Sequence, residues 1–107
     1  MSDRQQKISD TLLAVAGQYI AREANRDTLI TPTNATISPD LKNATIYLSV
    51  FPDTKEKQAL AFVERHQSDF RSFMKSRVHF KVLPRITFAI DYGEKNRQRI
   101  DDLLNSE

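Results

Sequence analysis

Five cations stand in a stretch of this sequence that holds no acid. Between Phe70 and Ile90 the charged side chains are Arg71, Lys75, Arg77, Lys81 and Arg85, a formal +5. The remaining 86 of the 107 residues carry 11 basic and 14 acidic side chains, so a net charge of +2 conceals a segregated basic segment. Concentrated charge of one sign raises the local potential, which is what a polyanion-binding face requires. Arg77, His79 and Lys81 alternate with Val78, Phe80 and Val82, so an extended backbone puts the three polar residues on one outward side. Arg71 and Lys75 are one helical turn apart and should project together. Arg71, Lys75, Arg77, His79, Lys81 and Arg85 are therefore the leading candidates for nucleic-acid contact, with a solvated basic face as the rival reading. Arg4, Lys7 and Arg22 on the first helix and Lys42 at a hairpin corner rank below them.

Other chemistries lack their parts. The chain has no cysteine and two histidines, which excludes thiolate metal sites, disulfides, redox motifs and multi-histidine centres. His66 falls on an apolar helical stripe and reads as packed rather than as a ligand or base. With no triad, metal spacing or phosphate loop, the expectation is no catalytic residue, no metal, no cofactor and no enzymatic activity. The polar start Met1 to Lys7 is unlike a signal peptide and no apolar run reaches spanning length, so a cytoplasmic protein without a membrane partner is expected.

The elements that must position these residues follow from periodicity. Ile8, Leu12, Val15 and Tyr19 recur at helical spacing, predicting a helix from Asp3 to Ala24 that ends at residues 25–28, with Gly17 either tolerated or marking a close crossing. Leu29 to Ser38 reads as a strand, with Pro32 confined to an edge, a bulge or the start because it has no N–H to donate. Ser38-Pro39-Asp40 turns the chain, and Ala44, Ile46, Leu48 and Val50 then alternate with Thr45, Tyr47 and Ser49 in a strand expected to pair antiparallel with the first. Asp53 and Glu56 suggest a capping box opening a helix that runs to about Lys75, with Phe62, Phe70 and Phe73 in the core. Phe80 is a fourth aromatic core candidate, which leaves Tyr47 as the one aromatic placed to stack on a base. Ile86, Phe88 and Ile90 form a third strand, broken by Asp91-Tyr92-Gly93, and a short helix from Asn96 to Leu104 is anchored by Ile100, Leu103 and Leu104.

This α-β-β-α-β order with a helical tail makes an α+β fold: a three-stranded sheet packed on helices, one domain over residues 1–107, in the arrangement of a type II KH domain. Ser38-Pro39-Asp40-Leu41, Ala44, Ile46-Tyr47 and Ser49 resemble the signature of the ribosome-binding factor A family of small bacterial KH-like proteins. The resemblance runs from Arg4-Gln5-Gln6-Lys7-Ile8 through Phe70-Arg71, Pro84, Phe88 and Asp91 to Arg99-Ile100 and Leu103-Leu104. Three features depart from the family pattern. Asn25-Arg26-Asp27 stands where the family has Asp-Pro-Arg, Pro32 lies in the first strand, and His66-Gln67-Ser68 replaces an Ala-x-Gly element that interrupts the second helix. Whether this helix is kinked is left open by that replacement.

The resemblance implies a monomeric, non-enzymatic assembly factor. It would bind free or immature 30S small subunits, contact 16S rRNA near the 5′-terminal helix and the 3′ end, and promote rRNA processing and subunit maturation. The alternatives are a protein-interaction adaptor and a generic RNA-binding domain acting off the ribosome. Ordinary KH domains clamp single strands with a Gly-x-x-Gly loop, because glycine lets the backbone approach the sugar-phosphate chain. Gly17 and Gly93 are the two glycines here and cannot build one. Any RNA contact must come from side-chain charge and shape.

Overall fold

The computed structural model describes residues 2–23 and 28–105, apart from the side chains of residues 98, 101, 102 and 105. The elements run α1 (Asp3–Glu23), β1 (Leu29–Ile37), β2 (Asn43–Phe51), a 3-10 turn (Asp53–Lys55), α2 (Glu56–Arg65), α3 (Gln67–Arg77), β3 (Arg85–Ile90) and α4 (Tyr92–Asn105). Residues 24–27, where the first helix was expected to end, lie outside the described residues. The fold is α+β, as the alternation of the strands and the stripes of the helices predict.

β2 is the central strand. It pairs antiparallel with β1 and parallel with β3. A parallel neighbour cannot be reached through a tight turn, and α2 with α3 supplies the crossover. Every second residue of β2 (Ala44, Ile46, Leu48 and Val50) is buried, joined by Ile30, Ala35 and Ile37 of β1 and Ile86, Phe88 and Ile90 of β3. Leu12, Val15, Ala16, Tyr19 and Ile20 of α1, Ala59 and Val63 of α2, and Phe70, Phe73 and Met74 of α3 complete this core. Burying such side chains contributes about 1.5–3 kcal/mol each for the larger ones, which holds α1 and the crossover to one sheet face. The other face carries Thr36, Thr45 and Thr87 in one cross-strand row and Asn34, Tyr47 and Ala89 in the next.

Pro32 is on the edge strand, and the register shifts between Pro32 and Asn34, so the missing N–H falls at a bulge. No atom lies within 4 Å of where a Cβ on Gly17 would sit, so this glycine marks no close crossing.

Four expectations are corrected. The second helix does not run unbroken to Lys75. It bends at His66 (φ −97°, ψ 11°), which closes α2 and opens α3. The His66 imidazole lies against the Phe62 ring, 4.2 Å between centroids, with Nδ1 2.8 Å from the Phe62 carbonyl oxygen, so the histidine is packed, half-buried, at the bend. Asp53 forms no capping box: no side chain caps this helix start, and Glu56 pairs instead with Lys95 at 3.1 Å. The last helix begins at Tyr92, not Asn96. Asp91 is its cap, accepting the Glu94 N–H at 2.9 Å through Oδ1. Its Oδ2 accepts from the hydroxyl of the bulged Thr33 at 2.5 Å. Ile100, Leu103 and Leu104 do not anchor α4 in the core: they are 56, 67 and 72% exposed.

Candidate nucleic-acid interface

The polar corner between β1 and β2 is built by short-range hydrogen bonds. The Leu41 N–H donates to the Ser38 carbonyl at 2.9 Å, and the Ser38 N–H to the Asn43 carbonyl at 2.8 Å. One Asp40 carboxylate oxygen accepts from the Ser38 hydroxyl at 2.5 Å and from the Lys42 N–H at 3.0 Å. The Ser38 hydroxyl comes first among the causes that hold the Asp40 carboxyl below the usual carboxylate range, with the Lys42 N–H next. Leu41 then takes φ +64°, the left-handed region that costs a leucine roughly 1–2 kcal/mol. This turn delivers Leu41 and Lys42 to one end of the sheet.

The loop of residues 78–84 arrives at the same end. Val78 and Pro84, its two ends, are buried. The Arg71 guanidinium donates to the Pro84 carbonyl at 2.9 Å, and the Arg85 N–H donates to the Lys42 carbonyl at 2.8 Å. Between these fixed ends His79, Lys81 and Val82 are exposed while Phe80 is half-buried against the core. The loop is not a strand, yet its alternation puts Arg77, His79 and Lys81 outward as the spacing predicts.

The N-terminal turns of α1 complete a cleft of about 570 Å³. Arg4, Lys7, Lys42, His79 and Lys81 line it together with one carboxylate, Asp40. Its apolar lining includes Ile8, Leu41, Phe80 and Val82. The sequence ranked Arg4, Lys7 and Lys42 apart from His79 and Lys81, and the fold brings all five to one cleft. A more open groove beside it is lined by Lys42, Gln67, Arg71, Arg85 and Glu64 among others, so Lys42 belongs to both.

The other candidates sit elsewhere. Arg77 and Arg22 both face the Phe73 ring, with the guanidinium carbons 4.4 and 5.2 Å from its centroid. Lys75 and Arg77 occupy the last turn of α3, where the helix dipole favours cations whatever their other role. Arg71 and Lys75 share a helix but not a situation: Lys75 is exposed, whereas Arg71 is half-buried and tied to Pro84. Among the described residues, Arg4, Lys7, Lys42, Lys75, Arg77, Lys81 and Arg85 have no carboxylate partner, while Arg22 is paired with Glu23 at 2.9 Å. Tyr47 is half-buried on the uncovered sheet face, and two aromatics the sequence reading did not single out, Phe51 and Tyr92, are 72 and 64% exposed. Phe51 ends the buried alternation of β2 on its outward phase, a signal present in the sequence.

Comparison with known proteins decides the lineage. The family model described as ribosome-binding factor A matches residues 4–104. The chain belongs to the ribosome-binding factor A family. A family member from Methylorubrum extorquens (strain PA1) is 30% identical over 111 residues, covering 99% of this chain and 77% of the relative. Another from Rhodopseudomonas palustris (strain BisB5) is 37% identical over 78 residues, covering 73% of this chain and 57% of the relative, so the match spans under two thirds of that protein's length. The fold is similar to the crystal structure of ribosome-binding factor A from Thermus thermophilus, with TM-score 0.70 and 21% identity, covering 78% of this chain and 92% of that one. It is also similar to Thermus thermophilus ribosome-binding factor A coordinates fitted into a cryo-EM map of a 30S complex, with TM-score 0.65 and 22% identity, covering 74 and 86%. Among the described residues no helix is long and apolar enough to cross a membrane.

Proposed function

We propose that this chain binds the free or immature 30S small subunit through its cationic surface, which is densest at the end of the sheet where β2 begins, and acts there as a non-catalytic assembly factor. Arg71, Lys75, Arg77, His79, Lys81 and Arg85 make the main contact with 16S rRNA, joined by Arg4, Lys7, Arg22 and Lys42. The rRNA regions are the 5′-terminal helix and the 3′ end, whose processing and maturation the protein promotes in the bacterial cytoplasm. It acts as one domain and as a monomer, and leaves before translation. The observation that carries this reading is the convergence of cations without carboxylate partners from α1, the β1–β2 corner and the loop of residues 78–84. Family membership and the 30S complex of a protein of similar fold support it.

Sedimentation of tagged protein with lysate through a sucrose gradient tests the reading. Co-migration with small-subunit fractions is expected, weakening steeply with salt, because each neutralised phosphate contributes a slope of about −0.7 to −0.9 in log affinity against log salt. Absence from those fractions, or association indifferent to salt, would sink it. Equal affinity for unrelated free RNA would favour a general RNA-binding domain instead.

A further inference from the structure

We infer that the cleft between the start of α1, the β1–β2 corner and the loop of residues 78–84 receives a single extruded nucleotide of RNA. The inference rests on the RNA-binding reading above and says what the site selects. A surface that only neutralised a duplex would need charge at its rim and nothing beneath. This cleft, about 570 Å³, falls within the range of small-ligand sites and carries two chemistries at once. Its cations are Arg4, Lys7, Lys42 and Lys81, opposed by one carboxylate, Asp40, for a formal +3 with His79 neutral.

Phe80, Leu41, Ile8 and Val82 make the apolar part. Val82, 77% exposed, is displayed at the cleft where burial alone would have withdrawn it, and beside it Leu41, half-buried against the core, is held at φ +64°. A bulky residue kept in the left-handed region persists where its surroundings over-determine it, and such positions cluster at ligand sites.

Duplex RNA offers this lining phosphates and hydroxyls but no exposed base face. An unpaired, unstacked nucleotide offers both a phosphate and a flat π surface. An acidic peptide with an apolar residue shares that pairing of charge and surface. RNA is favoured because the cations do not stop at the cleft. Lys42 continues into the groove that holds Arg71 and Arg85 against one carboxylate, Glu64, for a formal +2, a path suited to a polyanion with phosphates on either side of the inserted base.

Fluorescence anisotropy on the full chain tests this with three RNA hairpins: one with a single-uridine bulge, one with the same bulge abasic, and one continuous. The base-bearing bulge should bind about tenfold tighter than the other two, the scale of one base stacked on an aromatic. Phe80→Leu should shrink that preference to about twofold while leaving the salt slope intact. Val82→Ser, at an exposed position that folding does not depend on, should reduce it in the same direction. Equal binding of all three hairpins with a steep salt slope overturns the nucleotide site and leaves the RNA-binding reading standing. Failure of all three to bind overturns both. A preference that survives Phe80→Leu and Val82→Ser, or tighter binding of an acidic leucine-bearing peptide than of any hairpin, also overturns the site.

Discussion

The two ends of the sheet use charge in opposite ways. At the end where β2 begins, Arg4, Lys7, Lys42 and Lys81 gather from three segments with no carboxylate partner among the described residues. At the other end, roughly 25 Å away along a nine-residue strand, two of the three cations of α4, Lys95 and Arg97, are paired with acids of the same chain. Lys95 lies 3.1 Å from Glu56 and 4.0 Å from Asp53, and Arg97 pairs with Glu94. The aromatics differ in the same sense. Phe80 is half-buried in a cleft where cations outnumber the one carboxylate and make no ion pair among the described residues, while Phe51 and Tyr92 are exposed near the end where Lys95 and Arg97 are paired. A count of lysines and arginines would rate the ends alike. The distribution of acids separates a surface that can take an anion from one that has already taken its own.

Reversing charge on the proposed binding surface, Lys81 in the cleft with Lys75 and Arg77 on α3, and at the α4 end breaks the comparison most sharply. Lys75→Glu, Arg77→Glu and Lys81→Glu together should remove small-subunit binding and lower the salt slope by about 2–3. Lys95→Glu with Arg97→Glu should leave sedimentation with the subunit unchanged and lower the melting temperature, since Lys95→Glu faces Glu56 and Asp53. Binding that survives the triple change would favour a protein-interaction adaptor.

The next effect concerns Asp91. Asp91→Ala removes a helix cap and should cost about 1–2 kcal/mol in chemical denaturation, without changing RNA affinity. The Thr33 hydroxyl, ahead of the Glu94 N–H, holds the Asp91 carboxyl below its ordinary range. A group with a depressed folded value stabilises fully above its unfolded value, about 4, and loses that contribution as pH falls through the folded one. Stability should therefore decline in acid below about pH 4, and the decline should be shallower in Asp91→Asn, measured as denaturation midpoints at neutral and acid pH.

A smaller effect tests whether Arg71 belongs wholly to the binding end. Its guanidinium serves the Pro84 carbonyl, so Arg71→Lys, which keeps the charge, should still cost about 0.5–1.5 kcal/mol. Lys75→Gln should cost almost nothing in thermal denaturation, because Lys75 is exposed and has no carboxylate partner to lose among the described residues. The smallest change has the opposite sign. Gly17→Ala meets open space within a helix and should stabilise by about 0.5–1 kcal/mol, leaving both ends of the sheet as they are.

Much of the fold was legible because burial writes itself at period 2 and period 3.6. Ala44, Ile46, Leu48 and Val50 announce β2, and the bulge at Pro32 follows from a missing N–H. What local pattern could not decide shows in two identical spacings. Asp53 with Glu56 and Asp91 with Glu94 both read Asp-x-x-Glu. The second caps a helix, whereas the first gives its acids to Lys95, a residue 39 positions away from Glu56. The site was half legible for the same reason. The acid-free run pointed to Lys81 and His79, but nothing in the sequence places Arg4 and Lys7 beside them, because α1 must first be docked on the sheet.

The loop of residues 78–84 is held at both ends, by the buried Val78, whose N–H donates to the Met74 carbonyl at 2.9 Å, and by the Arg71 guanidinium on the Pro84 carbonyl. A segment anchored that closely has surrendered much of its backbone freedom before any ligand arrives. Its conformational cost is met when the chain folds rather than when the complex forms. Association should then behave as the docking of a rigid key, with rates set by diffusion and ionic atmosphere rather than by loop rearrangement, and with an entropy of binding dominated by released counterions.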